Sequence, residues 1–549
     1  MPPTVRAVAV ALFLAAIALG LRTGSGISDA RWLAILGAAW LLLIVALWPR
    51  LPAGLPQFNR TVVRTALVLT TIFAILSIQL VRIQVVQGDV TAQRVARAAN
   101  GDSLANPRLQ NESLSIRRGR MFDRNGVLVA DTVRQGDVWA RVYPEPESAY
   151  LVGYYSPLRY GNAGLEASFD DELSGRAANN PFVRWENELL NRSQTGVDLQ
   201  LTLDANLQRH AHELLDGRPG AVVLLEVGTG AVHTMASNPN YDPNRLFTGN
   251  PGDAEAAGVY WERLISDEDA PLVLRATEGL FSPGSTFKTV TASAAVDSGL
   301  ANPSSTYEDD GALVVEGHTI PEFNRPDDTI DTWTLTDGLA WSLNVVLARV
   351  GLQLGPEGLQ EYATRFGFGE EIPFDLPVAR SQLASTPDFL DSPAALADTA
   401  FGQGQILTTP LQMALVAAGI ANDGVIMQPY LVSGTRDGEG NLTRETEPSV
   451  WQRPISSESA AQVQDMMVNA VENGYAAGAQ IEGLVVGGKT GTAEVDNGEP
   501  HAWFIAFVGD PEPRYAVAVV LEHGGVGLGD SLAIARDMLA ATMAEETVT

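Results

Sequence analysis

A serine followed three residues later by a lysine, Ser285-Thr286-Phe287-Lys288, puts a hydroxyl and an amine one helical turn apart. That spacing suits a base taking a proton from a nucleophile. The chain of 549 residues sharpens this reading, because it holds only two lysines against 34 arginines. Arginine cannot lose its proton in a protein, whereas burial or a neighbouring cation drives a lysine amine toward neutrality. A chain that otherwise uses arginine for its cations keeps Lys288 for a task arginine cannot perform. To act near neutral pH, the amine must fall from about 10.4 toward 8, a differential of roughly 3 kcal/mol. A helix N-terminus contributes about 0.3–1 kcal/mol of this. Desolvation and a second cation must supply the remainder.

The other lysine opens Lys489-Thr490-Gly491-Thr492, directly after Gly487-Gly488 in a β-rich stretch. Gly491 leaves room for a ligand to lie along the strand backbone. Thr490 and Thr492 offer hydroxyls to a carboxylate, and backbone N–H groups can face a developing oxyanion. One such donor is typically worth about 3–4 kcal/mol. Lys489 is also the available second cation. A third element, Ser342-Leu343-Asn344, precedes the helical run Val345–Leu354. Positions i and i+2 do not share a helix face, so it belongs on the loop entering that helix. Each motif alone is weak, since Ser-x-x-Lys arises by chance about once in twenty lysines. Both lysines falling in such motifs, in this order, points to an active-serine acyl-transfer site.

The rest of the chain must place that site. Hydrophobic residues make up 46% of it, ample for more than one core. There is no cysteine, which excludes disulfides, thiolate nucleophiles and Cys-ligated metal. The six histidines form no zinc-binding motif; His210 and His212 read as surface residues on different helix faces. No metal or cofactor is implied. Residues 1–100 carry nine arginines and two acids, +7, against −29 for the whole chain, leaving the remainder at −36. A body that acidic argues against a nucleic-acid partner and reads as a solvated surface.

Three charge-free apolar stretches stand near the start: Ala7–Leu21, Trp32–Pro49 and Thr65–Val81. As helices they span about 22, 27 and 25 Å, and flanking arginines extend them toward the roughly 30 Å of a bilayer core. The connector Arg50–Arg64 has three arginines and no acid, which places it in the cytoplasm and the body outside. The first stretch also has the length of a cleaved signal sequence. The expected organisation is three membrane helices over 1–86, a β-rich pedestal over 87–215 and a catalytic domain over 216–549. In the pedestal, Asn125-Gly126 between apolar runs predicts a hairpin. In the catalytic domain, strands are predicted at 221–226, 231–237, 489–494, 502–508 and 514–521. Helices over 286–298, 345–354, 409–422 and 531–543 fill the rest. The fold class is therefore α+β: one antiparallel sheet sandwiched by helices.

The three motifs together resemble those of penicillin-binding proteins and related β-lactamases. The resemblance extends to class B penicillin-binding proteins in particular, through Arg275-Ala276-Thr277 before Phe281-Ser282-Pro283-Gly284-Ser285. It continues in Gly402-Gln403-Gly404, Thr409-Pro410-Leu411-Gln412-Met413-Ala414 and Ala421-Asn422-Asp423-Gly424. Leu201-Thr202-Leu203-Asp204 and Arg118-Gly119-Arg120 with Asp123-Arg124-Asn125-Gly126 resemble the pedestal. The resemblance implies the penicillin-binding transpeptidase fold, with an all-helical subdomain and a dimerisation-like pedestal. It implies a peptidoglycan D,D-transpeptidase of cell-wall synthesis, serving cell shape or division, that acts on stem peptides and is acylated by β-lactams. Ser285 would attack the D-Ala–D-Ala bond, with Lys288 as its base and Ser342 relaying a proton to the leaving amine. Asn344 would orient Lys288 and the substrate amide. Lys489, Thr490 and Thr492 would bind the substrate carboxylate, and the N–H groups of Ser285 and Thr492 would form the oxyanion hole. Such proteins often have one membrane span, so the multi-pass bacterial cell-membrane topology with an extracytoplasmic catalytic domain rests on the three apolar stretches, while the resemblance suggests a polytopic glycan polymerase as partner.

Three rivals share part of this pattern. A serine β-lactamase needs a deacylating glutamate, yet no Glu-x-x-Leu-Asn follows Ser342-Leu343-Asn344. A membrane β-lactam sensor would need a cytoplasmic effector, and none is recognisable. A D,D-carboxypeptidase shares the acylation machinery and is not separated from a transpeptidase by sequence.

Overall fold

The computed structural model of the chain describes residues 2–21, 28–83, 96–97, 103–104, 114 and 116–546, except 137, 158, 177–194, 248–250, 387 and 496–497. Parts of the expected pedestal, 87–95 and 177–194 among them, lie outside the described residues. The chain divides into two compact units, residues 1–112 and 113–549.

In the first unit, the apolar stretches form α1 (Pro3–Leu21), α2 (Asp29–Leu47) and α3 (Gln57–Val81). Ala30–Leu47 and Gln57–Val81 are long and apolar enough to cross a membrane, while the apolar part of α1 is shorter, Pro3–Leu19. The polar groups on α2 are matched by α3: Trp32 Nε1 donates to Gln79 Oε1 at 2.6 Å, and Trp40 Nε1 to Thr71 Oγ1 at 3.1 Å. Facing outward, Leu33, Leu41, Phe58, Leu69, Phe73 and Leu76 remain exposed.

The second unit begins with β1 (Met121–Phe122), β2 (Leu128–Gln135), β3 (Val138–Val142) and β4 (Asp198–Leu201). Two further strands, Val432–Arg436 and Leu442–Glu445, complete a six-stranded sheet on the far side of β4. The predicted hairpin joins β1 to β2, because Asp123 Oδ1 accepts the N–H groups of Asn125 and Val127 at 2.8 and 2.7 Å. Arg118 and Arg120 hold this sheet together. Arg118 meets the buried Glu166 at 2.8 Å and Arg120 meets Asp198 at 2.6 Å.

After α4 (Ala205–Leu215) come β5 (Gly220–Glu226) and β6 (Val232–Asn238). Near the end lie β7 (Val485–Ala493), β8 (His501–Gly509) and β9 (Pro513–Leu521). These five strands form one sheet in the order β6-β5-β9-β8-β7, every pair antiparallel. The near-continuous apolar run of β8 is explained by burial on both faces. Ala502, Phe504, Ala506 and Val508 pack with Leu207 and Ala211 of α4 and with Met538 and Leu539 of the C-terminal helix. The alternate residues Trp503, Ile505 and Phe507 face the other core, with Phe287, Val290 and Leu415. His212, expected on the surface, is instead half-buried, and burial lowers its pKa.

Between the two halves of the sheet run α5 (Lys288–Asp297), α6 (Asn344–Arg365), α7 (Pro393–Ala400) and α8 (Pro410–Ala421). Side-chain caps fix where two of them start. Ser392 accepts the Ala395 N–H and Thr409 accepts the Gln412 N–H, each with proline next in the sequence.

Candidate active site

Pro283-Gly284 turns the chain into a short 3-10 segment, Gly284–Phe287, which runs straight into α5. Ser285 sits half-buried in that first turn, and the Lys288 backbone N–H donates back to the Ser285 carbonyl. Lys288 is fully buried at the head of α5.

The Lys288 amine meets the second motif directly. Nζ donates to Ser342 O at 2.6 Å and Asn344 Oδ1 at 2.7 Å, and lies 3.2 Å from Ser342 Oγ. As expected, Ser342 lies on the loop and Asn344 opens α6, with Leu343 in extended backbone between them. Ser342 has φ +62°, a left-handed conformation that costs a non-glycine residue on the order of 1–3 kcal/mol. The strained turn aims its carbonyl at the amine. A neutral amine has two N–H groups and one lone pair. The two short bonds occupy both N–H groups and leave the lone pair for a proton.

Burial is the main cause of the electrostatics here. It lowers the Lys288 amine from 10.5 to about 7, and a nearby carboxylate, Glu322, partly opposes it. That difference is on the order of 5 kcal/mol. Lys489, equally buried, is pushed well below its ordinary value by burial first and by Lys288 second. The second cation that sequence reasoning called on to depress Lys288 thus bears the repulsion itself. Lys489 Nζ is held by Thr490 O at 3.0 Å.

Ser285, Ser342, Asn344, Thr490 and Thr492 line a single cavity of about 630 Å³. Lys288 and Lys489 do not line it; both are buried, the first amine against Ser342 and Asn344 of the lining and the second against Thr490. Gly491 differs from the sequence reading. A Cβ there would stand 2.8 Å from Thr286 Cγ2 and 2.9 Å from Pro283 O, so its space is filled by the nucleophile's own turn and not left for a ligand. Thr490 and Thr492, on the opposite strand face, are the ones open to the cavity.

Residues to which sequence reasoning assigned no role in the site complete it, Gly402 and Gln403 among them from a stretch noted only for its resemblance. Phe401 places its ring 5.9 Å from Lys288 Nζ. Gln403 Nε2 reaches Thr492 O at 3.5 Å, and Trp503 Nε1 donates to Ser282 O at 2.9 Å. Glu322 is buried beside the second motif. Gly402 packs on the nucleophile turn with φ +91°, and a Cβ there would lie 1.8 Å from Gly284 O. Gly402→Ala is therefore expected to displace Ser285, cutting acylation by a labelled penicillin at least tenfold and stability by about 2–3 kcal/mol. Stopped-flow labelling with thermal melts measures both.

Comparison with known proteins bears on the fold that carries this site. A family model described as the penicillin binding protein transpeptidase domain matches residues 220–544. One described as the penicillin binding protein A dimerisation domain matches residues 118–199. A peptidoglycan D,D-transpeptidase PbpA of Mycolicibacterium smegmatis is 35% identical over 458 residues, covering 81% of this chain and 90% of that relative. Penicillin-binding protein A of M. tuberculosis, solved as a ceftriaxone acyl-enzyme, has a TM-score of 0.71 at 31% identity, covering 79% of this chain and 99% of its own. The D,D-transpeptidase domain of a peptidoglycan glycosyltransferase from Eggerthella lenta has a TM-score of 0.69 at 32% identity, over 78% and 99%.

Proposed function

The chain belongs to the penicillin-binding protein transpeptidase family, and on that premise we propose that it cross-links peptidoglycan stem peptides as a serine D,D-transpeptidase through an acyl-enzyme on Ser285. The observation that carries the assignment of residues is the Lys288 amine, buried among Ser342 O, Ser342 Oγ and Asn344 Oδ1 at the start of the helix that presents Ser285. Ser285 Oγ bonds to the penultimate D-alanine carbonyl as its proton passes to Lys288 Nζ. The oxyanion forms against the N–H groups of Ser285 and Thr492. Collapse breaks the C–N bond, and Ser342 Oγ passes the proton to the departing D-alanine amine. An amine from a second stem then attacks the ester, forming the cross-link and returning the proton to Ser285. Thr490 and Thr492 hold the terminal carboxylate from the cavity wall, with Lys489 buried against Thr490. A β-lactam enters the same sequence through its strained amide and stops at the ester. Intact-mass analysis with penicillin, followed by peptide mapping, tests this: one adduct on the peptide containing Ser285 supports it, and an adduct elsewhere rejects it.

For the N-terminal unit we propose a multi-pass anchor in the bacterial cell membrane, with residues 113–549 outside the cell. It is supported by the two long apolar helices, their exposed leucines and phenylalanines, and Arg50 between them with Arg60 and Arg64 in the first turns of the second. The surface of these helices is then available to a polytopic glycan polymerase. The cysteine-free chain allows a direct check on topology. A single Ala53→Cys, on the exposed connector, is expected to react with an impermeant maleimide only after the cells are permeabilised.

A further inference from the structure

Glu322 lies on the loop that follows the Ala312–Val315/His318–Pro321 hairpin, and it is only 8% exposed. Among the described residues it makes no ion pair. An ionised carboxylate taken out of water without a cation is costly unless its lone pairs are satisfied. Three backbone N–H groups satisfy them here. Oε1 accepts from Phe323 and Asn324, both at 3.1 Å, and Oε2 accepts from Val345 at 3.0 Å. Val345 belongs to the first turn of α6, so the carboxylate meets an orphan donor at a helix N-terminus.

That placement ties together the parts that grip Lys288. The Val345 N–H is adjacent in sequence to Asn344, whose Oδ1 receives the amine. On the other side of the carboxylate, Asn324 Nδ2 donates to Ser342 O at 3.3 Å, the same carbonyl that Lys288 bonds at 2.6 Å. A carboxylate serving only to cap α6 would need neither the Asn324 link nor proximity to a titrating amine.

We propose that Glu322 is a positioning residue for the acylation step, clamping the Ser342–Asn344 turn around Lys288 and holding a buried negative charge at that turn. This rests on Lys288 being the base. Burial alone would drive the amine lower still, and Glu322 opposes it. Glu322 is itself raised by burial and lowered by Lys288 and its N–H donors. The other charged groups around the pair are Lys489 from β7 and Asp309 behind Glu322, with Asp310, Arg325 and Arg349 around Asp309.

The test is the acylation rate of the full-length chain by a fluorescent penicillin, measured from pH 5 to 9 for wild type, Glu322→Gln and Glu322→Asp. With the charge removed, Lys288 gives up its proton more readily. The acid limb of the Glu322→Gln profile should then move down by about one pH unit. The weaker base and slackened turn should also lower the plateau about tenfold or more. Glu322→Asp keeps the charge, so its midpoint should stay near wild type while the plateau falls. An unmoved or upward-moved midpoint in Glu322→Gln overturns the proposal, whatever happens to the plateau. If the glutamine variant does not fold, a downward-moved midpoint in Glu322→Asp overturns it instead. Wild-type chain that is not labelled at Ser285 counts against the transpeptidase reading itself; labelled wild type with insensitive variants counts against Glu322 alone.

Discussion

Ser285→Ala abolishes the covalent adduct with a labelled penicillin and removes cross-linking activity with it. Loss of a nucleophile costs acyl-transfer enzymes several orders of magnitude, here at least about 10⁴-fold in labelling. Stability should hardly change, by about 0.5 kcal/mol at most, because the side chain is small and half-buried. Thermal melts beside gel fluorescence separate the two effects. A persistent adduct on a well-folded variant places the nucleophile elsewhere, with Ser342, Thr490 and Thr492 among the other hydroxyls that line the cavity.

Lys288→Arg lowers the acylation rate by about 10²–10⁴-fold while keeping a cation at the position. The guanidinium stays protonated at any accessible pH and cannot serve as a base. It is also too wide for the space between Ser342 O and Asn344 Oδ1, where the amine makes bonds of 2.6 and 2.7 Å. The wild-type pH profile follows from the same group. With the amine titrating at about 7, the reactive neutral form predominates above that pH. The rate should be level at alkaline pH and fall toward tenfold per unit on the acid side. Undiminished labelling of Lys288→Arg removes Lys288 from the role of base.

The chemistry was more legible than its support. Two lysines in 549 residues pointed to Ser285, Lys288 and Lys489, and the helix predicted over 286–298 overlaps the turn Gly284–Phe287 and α5, which carry the first two. The i, i+2 spacing of Ser342 and Asn344 correctly forecast a loop, because helix geometry forbids a shared face. Gly491 was misread, since an absent side chain looks alike whether a ligand or the protein fills the space. Burial of Lys288 arises from elements hundreds of residues apart, so the division of the lowering between desolvation and Lys489 was not legible: burial is its cause, and Lys489 bears the repulsion. Glu322 left no trace at all: Pro321-Glu322-Phe323-Asn324 has no periodicity, and although two of its N–H partners are its own neighbours, the third, Val345, is brought to it only by the tertiary fold. Strand runs such as Ala502–Val508 were readable as apolar stretches. Their order was not, because β5 and β9 are nearly 300 residues apart in sequence.

The most direct measurement incubates the purified full-length chain with polymerised lipid-linked peptidoglycan precursor and resolves the digested products by mass spectrometry. Dimers joined through one stem's D-alanine and a second stem's amine, absent with Ser285→Ala or added penicillin, are the predicted result. Monomers shortened by one D-alanine with no dimers would make the chain a carboxypeptidase, and unchanged stems would contradict the account as a whole.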